Sequence, residues 1–418
     1  DHLSRRTLLA LAAAAPAMAV AAPAAPHRLS VGDRLARFDL LEPGRRSYLR
    51  SQVRDGAHVA TDIWQREVRF ERVDGVERLR IVQRWDGTGN KDGLVPLEKY
   101  TEPFLDVGLQ RLRIVKDVFN GYLRDGATLV LNRLDTKSLP IQRLTMAIAR
   151  FVGEKAVANG YVAFGGEGTF ATHWDTHDVF AVQLIGRKRW KVFEPTFPLP
   201  LPHQKSKEHK HACPVEPVFD GILEAGDVLY IPRGWWHEAI PLENEETLHI
   251  AVGIHTAHVA DYVAWSCGNA LAQVLDFRKT LKFEEDGQQE IQDALACVHE
   301  VLLDPRNIRA FKEAQVEQDR VISPFAVERF SKNELSVLTL QDVLSINSIY
   351  RTACNSERLA INGFSIKVDD ASTQVIEELF AKDCMSVKQV VESVDPILQK
   401  KAQKLIENLL THDVVGLE

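Results

Sequence analysis

Between residues 115 and 260 the chain is cut into short apolar runs by Gly, Pro, Asp and Asn, and this pattern constrains the fold more than any other feature. ATLVLNRL, GYVAFGG, DVFAVQLIG, KRWKVFEP, DVLYIP and LHIAVGI each have the length and the β-branched or aromatic content of a strand. Many short strands at close spacing predict a sandwich or a barrel rather than a parallel α/β sheet, whose strands would alternate with crossover helices. One helix-like insert stands near 139–153. Residues 256–320 switch to helical periodicity, and 331–418 read as several short helices. The last of these is expected to open at Asp395-Pro396, with Ile397, Leu405 and Leu409 on one side. The fold class is therefore α+β.

One run does not behave like an ordinary half-buried strand. ATHWDTHDVF, residues 171–180, ends in Val179 and Phe180 yet places His173, Asp175 and His177 at alternate positions. If this stretch is extended, alternate side chains share a face, and His173 and Asp175 aim two donor groups at one point. A second stretch, LEAGDVLYIPRGWWHEAIP, supplies a third donor: Gly226-Asp227 makes a turn, Val228 to Ile231 a strand, Pro232 and Gly234 a second turn, and His237 follows. Two imidazoles and one carboxylate leave coordination positions open, the arrangement of non-haem Fe(II) oxygenases. A closed structural zinc site would ask for a fourth protein ligand. An isolated H-x-D is more often a hydrogen-bonded histidine and a turn aspartate. The G-D-x4-P-x-G-x-x-H stretch roughly 60 residues later, in the same β-rich block, tips the balance towards a metal. His177 is one donor too many for a facial triad and reads either as a partner of the site or as a satisfied core histidine. His203, His209 and His211 read as part of a solvated loop between barrel strands, and GGEG, residues 165–168, as a turn.

ANGYVAFGGEGTFATHWDTHDVFAVQLIGRKRWKVFEP together with LEAGDVLYIPRGWWHEAIP resembles the JmjC-type hydroxylases of the cupin superfamily, nearest the ribosomal oxygenases. The resemblance implies a double-stranded β-helix, a jelly-roll cupin, followed by a helical dimerisation region and a winged-helix-like domain. It implies Fe(II), 2-oxoglutarate as co-substrate and O2, and hydroxylation of a protein or peptide substrate, with a ribosomal protein as the family-level expectation. Carried over by position, His173, Asp175 and His237 fall on the iron ligands and the catalytic centre. Lys188 falls on the residue that holds the distal carboxylate of 2-oxoglutarate. Asn159, Tyr161 and His249 fall on cofactor-pocket positions. Gly253 stands where relatives carry a small polar residue. Charge counting supports Lys188 independently: two charges on iron, one on Asp175 and two on the keto acid leave one negative charge in a dry pocket, which an ammonium neutralises.

The expected organisation is an atypical head at 1–94, a catalytic domain at 95–260, a helical dimerisation region at 261–330 and a winged-helix-like domain at 331–418. The head holds 15 Arg and 1 Lys, whereas 95–418 hold 16 Arg and 19 Lys, and this suggests separate histories joined near Asp86 to Asp92. Within the head, residues 66–85 alternate around Asp74-Gly75 as a hairpin would. Ser4-Arg5-Arg6-Thr7, an apolar run and Ala17-Met18-Ala19 look like a twin-arginine export signal, too short for a membrane span of about 20 residues. Against that, five cysteines without a C-x-x-C pair, Fe(II) and 2-oxoglutarate all suit the cytoplasm, the expected location. A net charge of -7 argues against a nucleic-acid partner, and so does the balance of 9 basic to 13 acidic residues in 332–418. The partners expected are a protein substrate and a second copy of the chain, with no nucleic acid and no membrane. A cupin oxygenase of a small molecule or maturing peptide and a DNA-binding regulator with a cupin sensor are the rival readings.

Overall fold

In the computed structural model of the protein the described residues are 79–82, 93–166, 168–281, 287–318, 338–349, 358–361, 363–367, 369–382, 384–412 and 414–417. The export-like segment, the proposed junction and the first half of the head hairpin lie outside them. Of that hairpin, β1 (Leu79–Val82) is described. It pairs antiparallel with β4 (Thr128–Leu131), so this part of the head forms the edge of the main sheet.

The strands alternate between two facing sheets, as short antiparallel strands do in a jelly roll. The larger sheet has the order β1-β4-β5-β11-β6-β9, with β5 spanning Lys155–Phe164, β6 Asp178–Ile185, β9 Val228–Ile231 and β11 Glu246–His255. The smaller has the order β10-β7-β8, with β7 spanning Lys188–Phe193, β8 Phe219–Leu223 and β10 Trp236–Pro241. Strand β6 is buried on both faces, which explains its unbroken apolar run. Phe180, Val182 and Leu184 pack outwards into a core with Leu144 and Ile148, while Val179 and Ala181 pack inwards with Trp190, Val192 and Leu229. The outward core is covered by α1 (Lys116–Arg124) and α2 (Leu139–Val152), the latter ending at Gly153 in the left-handed region with its N–H on the Ala149 carbonyl. The expected insert at 139–153 is this second helix. Helix α1 was not expected, and neither was the preceding hairpin of β2 (Thr101–Asp106) and β3 (Leu109–Ile114), turned by Val107 and Gly108 at positive φ.

Three helices follow the barrel, α3 (Val259–Gly268), α4 (Gln288–Leu303) and α5 (Pro305–Gln318), in agreement with the helical reading of 256–320. The C-terminal segment carries more strand than its sequence suggested. Strand β12 (Val343–Ile346) lies between β15 (Cys384–Ser386) and β16 (Val415–Leu417), and β13 (Arg358–Ile361) pairs with β14 (Phe364–Lys367). Helices α6 (Asp370–Lys382), α7 (Val387–Ser393) and α8 (Gln399–Thr411) bury Val375, Leu379, Val390, Ala402 and Ile406 against β12. The last helix opens at Gln399 rather than at Asp395-Pro396. Asp395 instead accepts the Ile397 N–H in a local turn, which leaves Ile397 exposed and gives the inner face to Ala402, Ile406 and Leu409. Arg150 of α2 reaches the carbonyls of Ile346 and Ser348, tying this unit to the barrel.

Candidate metal centre and its pocket

The segment 171–177 is not a strand. Regular pairing begins at Asp178, and His173 joins the smaller sheet through a single bridge to His237. His173 N–H donates to the His237 carbonyl at 3.0 Å, and His237 N–H donates to the His173 carbonyl at 2.7 Å. Two residues that exchange both hydrogen bonds across an antiparallel pair point their side chains to the same side. The two imidazoles therefore meet, with ring centroids 4.4 Å apart, through cross-strand pairing rather than through alternation along one strand. Asp175 is brought in by the P-x-G turn, whose Gly234 N–H donates to the Asp175 carbonyl at 2.9 Å. Gly234 sits at φ +82, and a Cβ there would lie 2.9 Å from the Phe197 carbonyl oxygen. The turn thus needs glycine on both counts.

The donor atoms of His173, Asp175 and His237 all lie within 4.8 Å of one another. Nδ1 of His173 is 2.9 Å from the Ala171 carbonyl, and Nδ1 of His237 is 3.1 Å from that of Trp235. A carbonyl can only accept, so each Nδ1 carries the proton and each Nε2 keeps its lone pair for a metal. Burial holds the His237 imidazole neutral, its pKa pushed down to about 4. Burial would raise the Asp175 pKa, but the imidazoles of His173, His237 and His177 outweigh it and hold the carboxyl below its usual value. A carboxylate and two imidazoles, each imidazole oriented by a backbone carbonyl, suit a divalent cation.

Lys188 opens β7 with its side chain buried, and its Nζ lies 3.4 Å from His249 Nδ1. Burial lowers the ammonium pKa to about 7. His249 is itself pushed well below its ordinary value, first by burial and then by Lys188. Tyr161 lies directly opposite His249 in the β5–β11 pairing, and the two rings stack at 4.9 Å. Burial and the Asp175 charge raise the Tyr161 pKa, so its hydroxyl keeps its proton. On the other side of His249 the register slips: Leu184 of β6 has no partner where β11 steps from Leu248 to His249. Such a bulge re-aims the side chains beside it. Asn159 shares the inward face, opposite Ala251, but its Oδ1 accepts the Arg133 N–H at 3.0 Å, which leaves its NH2 group as the part available to a ligand.

Trp190 was not singled out in the sequence, although it lies two residues after Lys188 on the same face of β7. Its ring meets His249 edge-on at 5.2 Å, and its buried indole N–H has no hydrogen-bond partner among the described residues. His177 stands apart from the three donors and stacks on His255 at 5.1 Å. In the loop between β7 and β8, His209 packs on Phe197 at 4.5 Å and on Trp174 at 6.0 Å, so its ring belongs to an aromatic cluster.

Residues 133–262 match the JmjC domain family model. The chain is 32% identical over 166 residues to ribosomal oxygenase 1 of Gallus gallus, covering 40% of this chain and 26% of that protein. It is 32% identical over 142 residues to the bifunctional lysine-specific demethylase and histidyl-hydroxylase NO66 of Drosophila mojavensis, covering 32% of this chain and 15% of that one. The chain thus spans about a quarter or less of the length of these relatives. Among solved structures, the Escherichia coli ribosomal oxygenase YcfD superposes with TM-scores of 0.50 and 0.51 in two crystal structures, at 18% identity and over 81% of this chain, covering 86% and 87% of those chains. A likeness at that identity speaks for the fold. Among the described residues no helix is long and apolar enough to cross a membrane. Residues 133–262, which carry the His173, Asp175 and His237 cluster among two antiparallel sheets, are thus the part of this chain that matches the JmjC domain family.

Proposed function

We propose that this protein is a non-haem iron oxygenase that uses 2-oxoglutarate and O2 to hydroxylate a protein side chain, with an arginine or histidine of a ribosomal protein as the substrate class. The observation that carries this reading is the convergence of one carboxylate and two imidazoles whose Nδ1 atoms are already engaged by backbone carbonyls. In this reading His173 and His237 hold the iron through Nε2 and Asp175 through a carboxylate oxygen. Iron, the keto acid and dioxygen supply the oxidising power to hydroxylate an unactivated C–H bond.

The chain's own contributions are binding, charge balance and exclusion of water. Lys188, buried and poised near neutrality, keeps its proton at Nζ when the distal carboxylate arrives as a partner. His249, Tyr161 and the Asn159 amide shape that end of the pocket, and the Trp190 indole offers it a further donor. Val179, Ala181, Val192 and Leu229 wall the interior with apolar surface, so that charges placed there interact strongly.

We assign residues 95–260 to the catalytic domain, 261–330 to a dimerisation region, 331–418 to a winged-helix-like domain and 1–94 to a separate head. Exposed Val259, Val263, Leu295 and Leu303 on the post-barrel helices support a homodimer formed through them. The excess of acidic residues in 332–418 supports a protein-packing role for that unit rather than nucleic-acid binding. Cys213, Cys267 and Cys297, which form no disulfide among the described residues, support a cytoplasmic location. The test is succinate release from 2-oxoglutarate with iron and peptides from ribosomal proteins, together with mass spectrometry of the peptides. A peptide-dependent gain of one oxygen atom is expected. Absence of turnover with every peptide, together with absence of metal binding, overturns the reading.

A further inference from the structure

The inward face of β11 runs from the deepest part of the pocket to its mouth. His249, Ala251, Gly253 and His255 occupy alternate positions along it; His249 and Gly253 are buried, Ala251 is half-buried and His255, at the strand's end, is exposed. Lys188 and Tyr161 lie at the His249 end. At the other end Gly253 stands opposite Val157 of β5 and Val179 of β6, and its bare backbone forms a notch. The notch is filled from elsewhere in the chain: a Cβ on Gly253 would lie 2.5 Å from Cδ2 and 2.6 Å from Nε2 of His177. Contacts that short do not occur, so any side chain at 253 would drive the His177 ring from its seat. The ring is fixed a second time by its near-parallel stack on His255, 5.1 Å away at 13°.

We propose that His177, seated in the Gly253 notch and clamped on His255, is a specificity-determining residue that selects a flat, nitrogen-bearing side chain, imidazole or guanidinium, at the mouth of the pocket. This rests on the reading of the pocket as a protein hydroxylase site. The keto acid enters the Lys188 end, so a substrate side chain reaches the three donors from the His177 end. Flat rings pack on imidazole in offset stacks, and a guanidinium packs over a ring face, whereas an aliphatic chain gains only contact area.

The test uses fluorescein-labelled peptides identical except for a central His, Arg or Leu. Each is titrated by anisotropy into full-length protein loaded with cobalt and a non-reactive keto-acid analogue. The wild type is expected to bind the His or the Arg peptide about fivefold more tightly than the Leu peptide. His177→Ala removes the ring and Gly253→Ala only displaces it, and both are expected to bring the three affinities within about twofold of one another. A merely structural role for His177 would lower all three affinities together and leave their ratio unchanged. Equal binding of the three peptides by the wild type, or a preference that survives both substitutions, overturns the proposal. Cobalt titration of the same samples separates the two claims: cobalt bound without peptide preference defeats only the assignment of His177, whereas absence of cobalt binding defeats the oxygenase reading itself.

Discussion

The barrel and the C-terminal unit bury their residues on opposite principles. Inside the barrel, Gln183, Lys188, His237, Thr247 and His249 are buried among Val179, Trp190 and Leu229, and the Trp190 N–H and Gln183 Oε1 have no hydrogen-bond partner among the described residues. The core of the C-terminal unit is Leu344, Val375, Leu379, Val390, Ile406 and Leu409, and among the described residues the polar side chains buried in that unit are those of Ser345, Ser348 and Ser372. Unpaired buried polar groups cost free energy. A fold keeps them where a ligand completes them, so the contrast separates a region shaped for binding from one shaped for packing.

The strongest way to break the contrast is at the donors. His237→Ala is expected to cut peptide-dependent succinate release by more than the roughly 100-fold upper range for losing an outer partner of a ligand, with the unfolding midpoint little changed because His237 makes no apolar core. Steady-state turnover and a thermal melt on the same sample check both halves. The reciprocal experiment is Ile406→Ala, which leaves a cavity in the C-terminal core and should cost about 2–5 kcal/mol in denaturant unfolding of that unit while cobalt affinity at the barrel stays unchanged. Lys188→Met keeps the volume and removes the charge. Calorimetry should show keto-acid affinity falling on the order of 100-fold, since a buried carboxylate left unpaired costs about 3 kcal/mol.

The smallest effect is on pH. In the ligand-free fold burial lowers the Lys188 pKa to about 7, so above that pH the amine is neutral and must take up a proton to pair with the keto acid. Affinity should therefore fall about tenfold per pH unit above neutrality and be flat below it, where the ammonium is already present. Calorimetric titrations in buffers of different ionisation enthalpy would register the proton taken up.

Much of the barrel was legible because its strands are buried on one or both faces and carry that burial in their composition: β5, β6, β7, β9 and β11 all lie where apolar runs placed them. Strand β10 was not read as a strand, since Trp236–Pro241 follows a turn and ends in proline, and its partner β7 is more than 40 residues away. The hairpin at Thr101–Ile114 is largely exposed, so its apolar residues show no buried alternation. The three residues do come together, but through a geometry other than the alternation read from the sequence. Residue types and spacing point to His173, Asp175 and His237, but the cross-strand exchange of hydrogen bonds between His173 and His237 is long-range pairing that local periodicity does not encode. The same holds for His177 and Gly253, 76 positions apart: only the folded chain reveals that one occupies the space the other leaves.

The account depends on His173, Asp175 and His237 holding a single divalent ion. Cobalt titration of metal-free protein, followed by visible absorption, tests this directly. A single equivalent should bind, with affinity lowered at least about 100-fold in Asp175→Ala. Undiminished binding in both Asp175→Ala and His237→Ala would contradict the account.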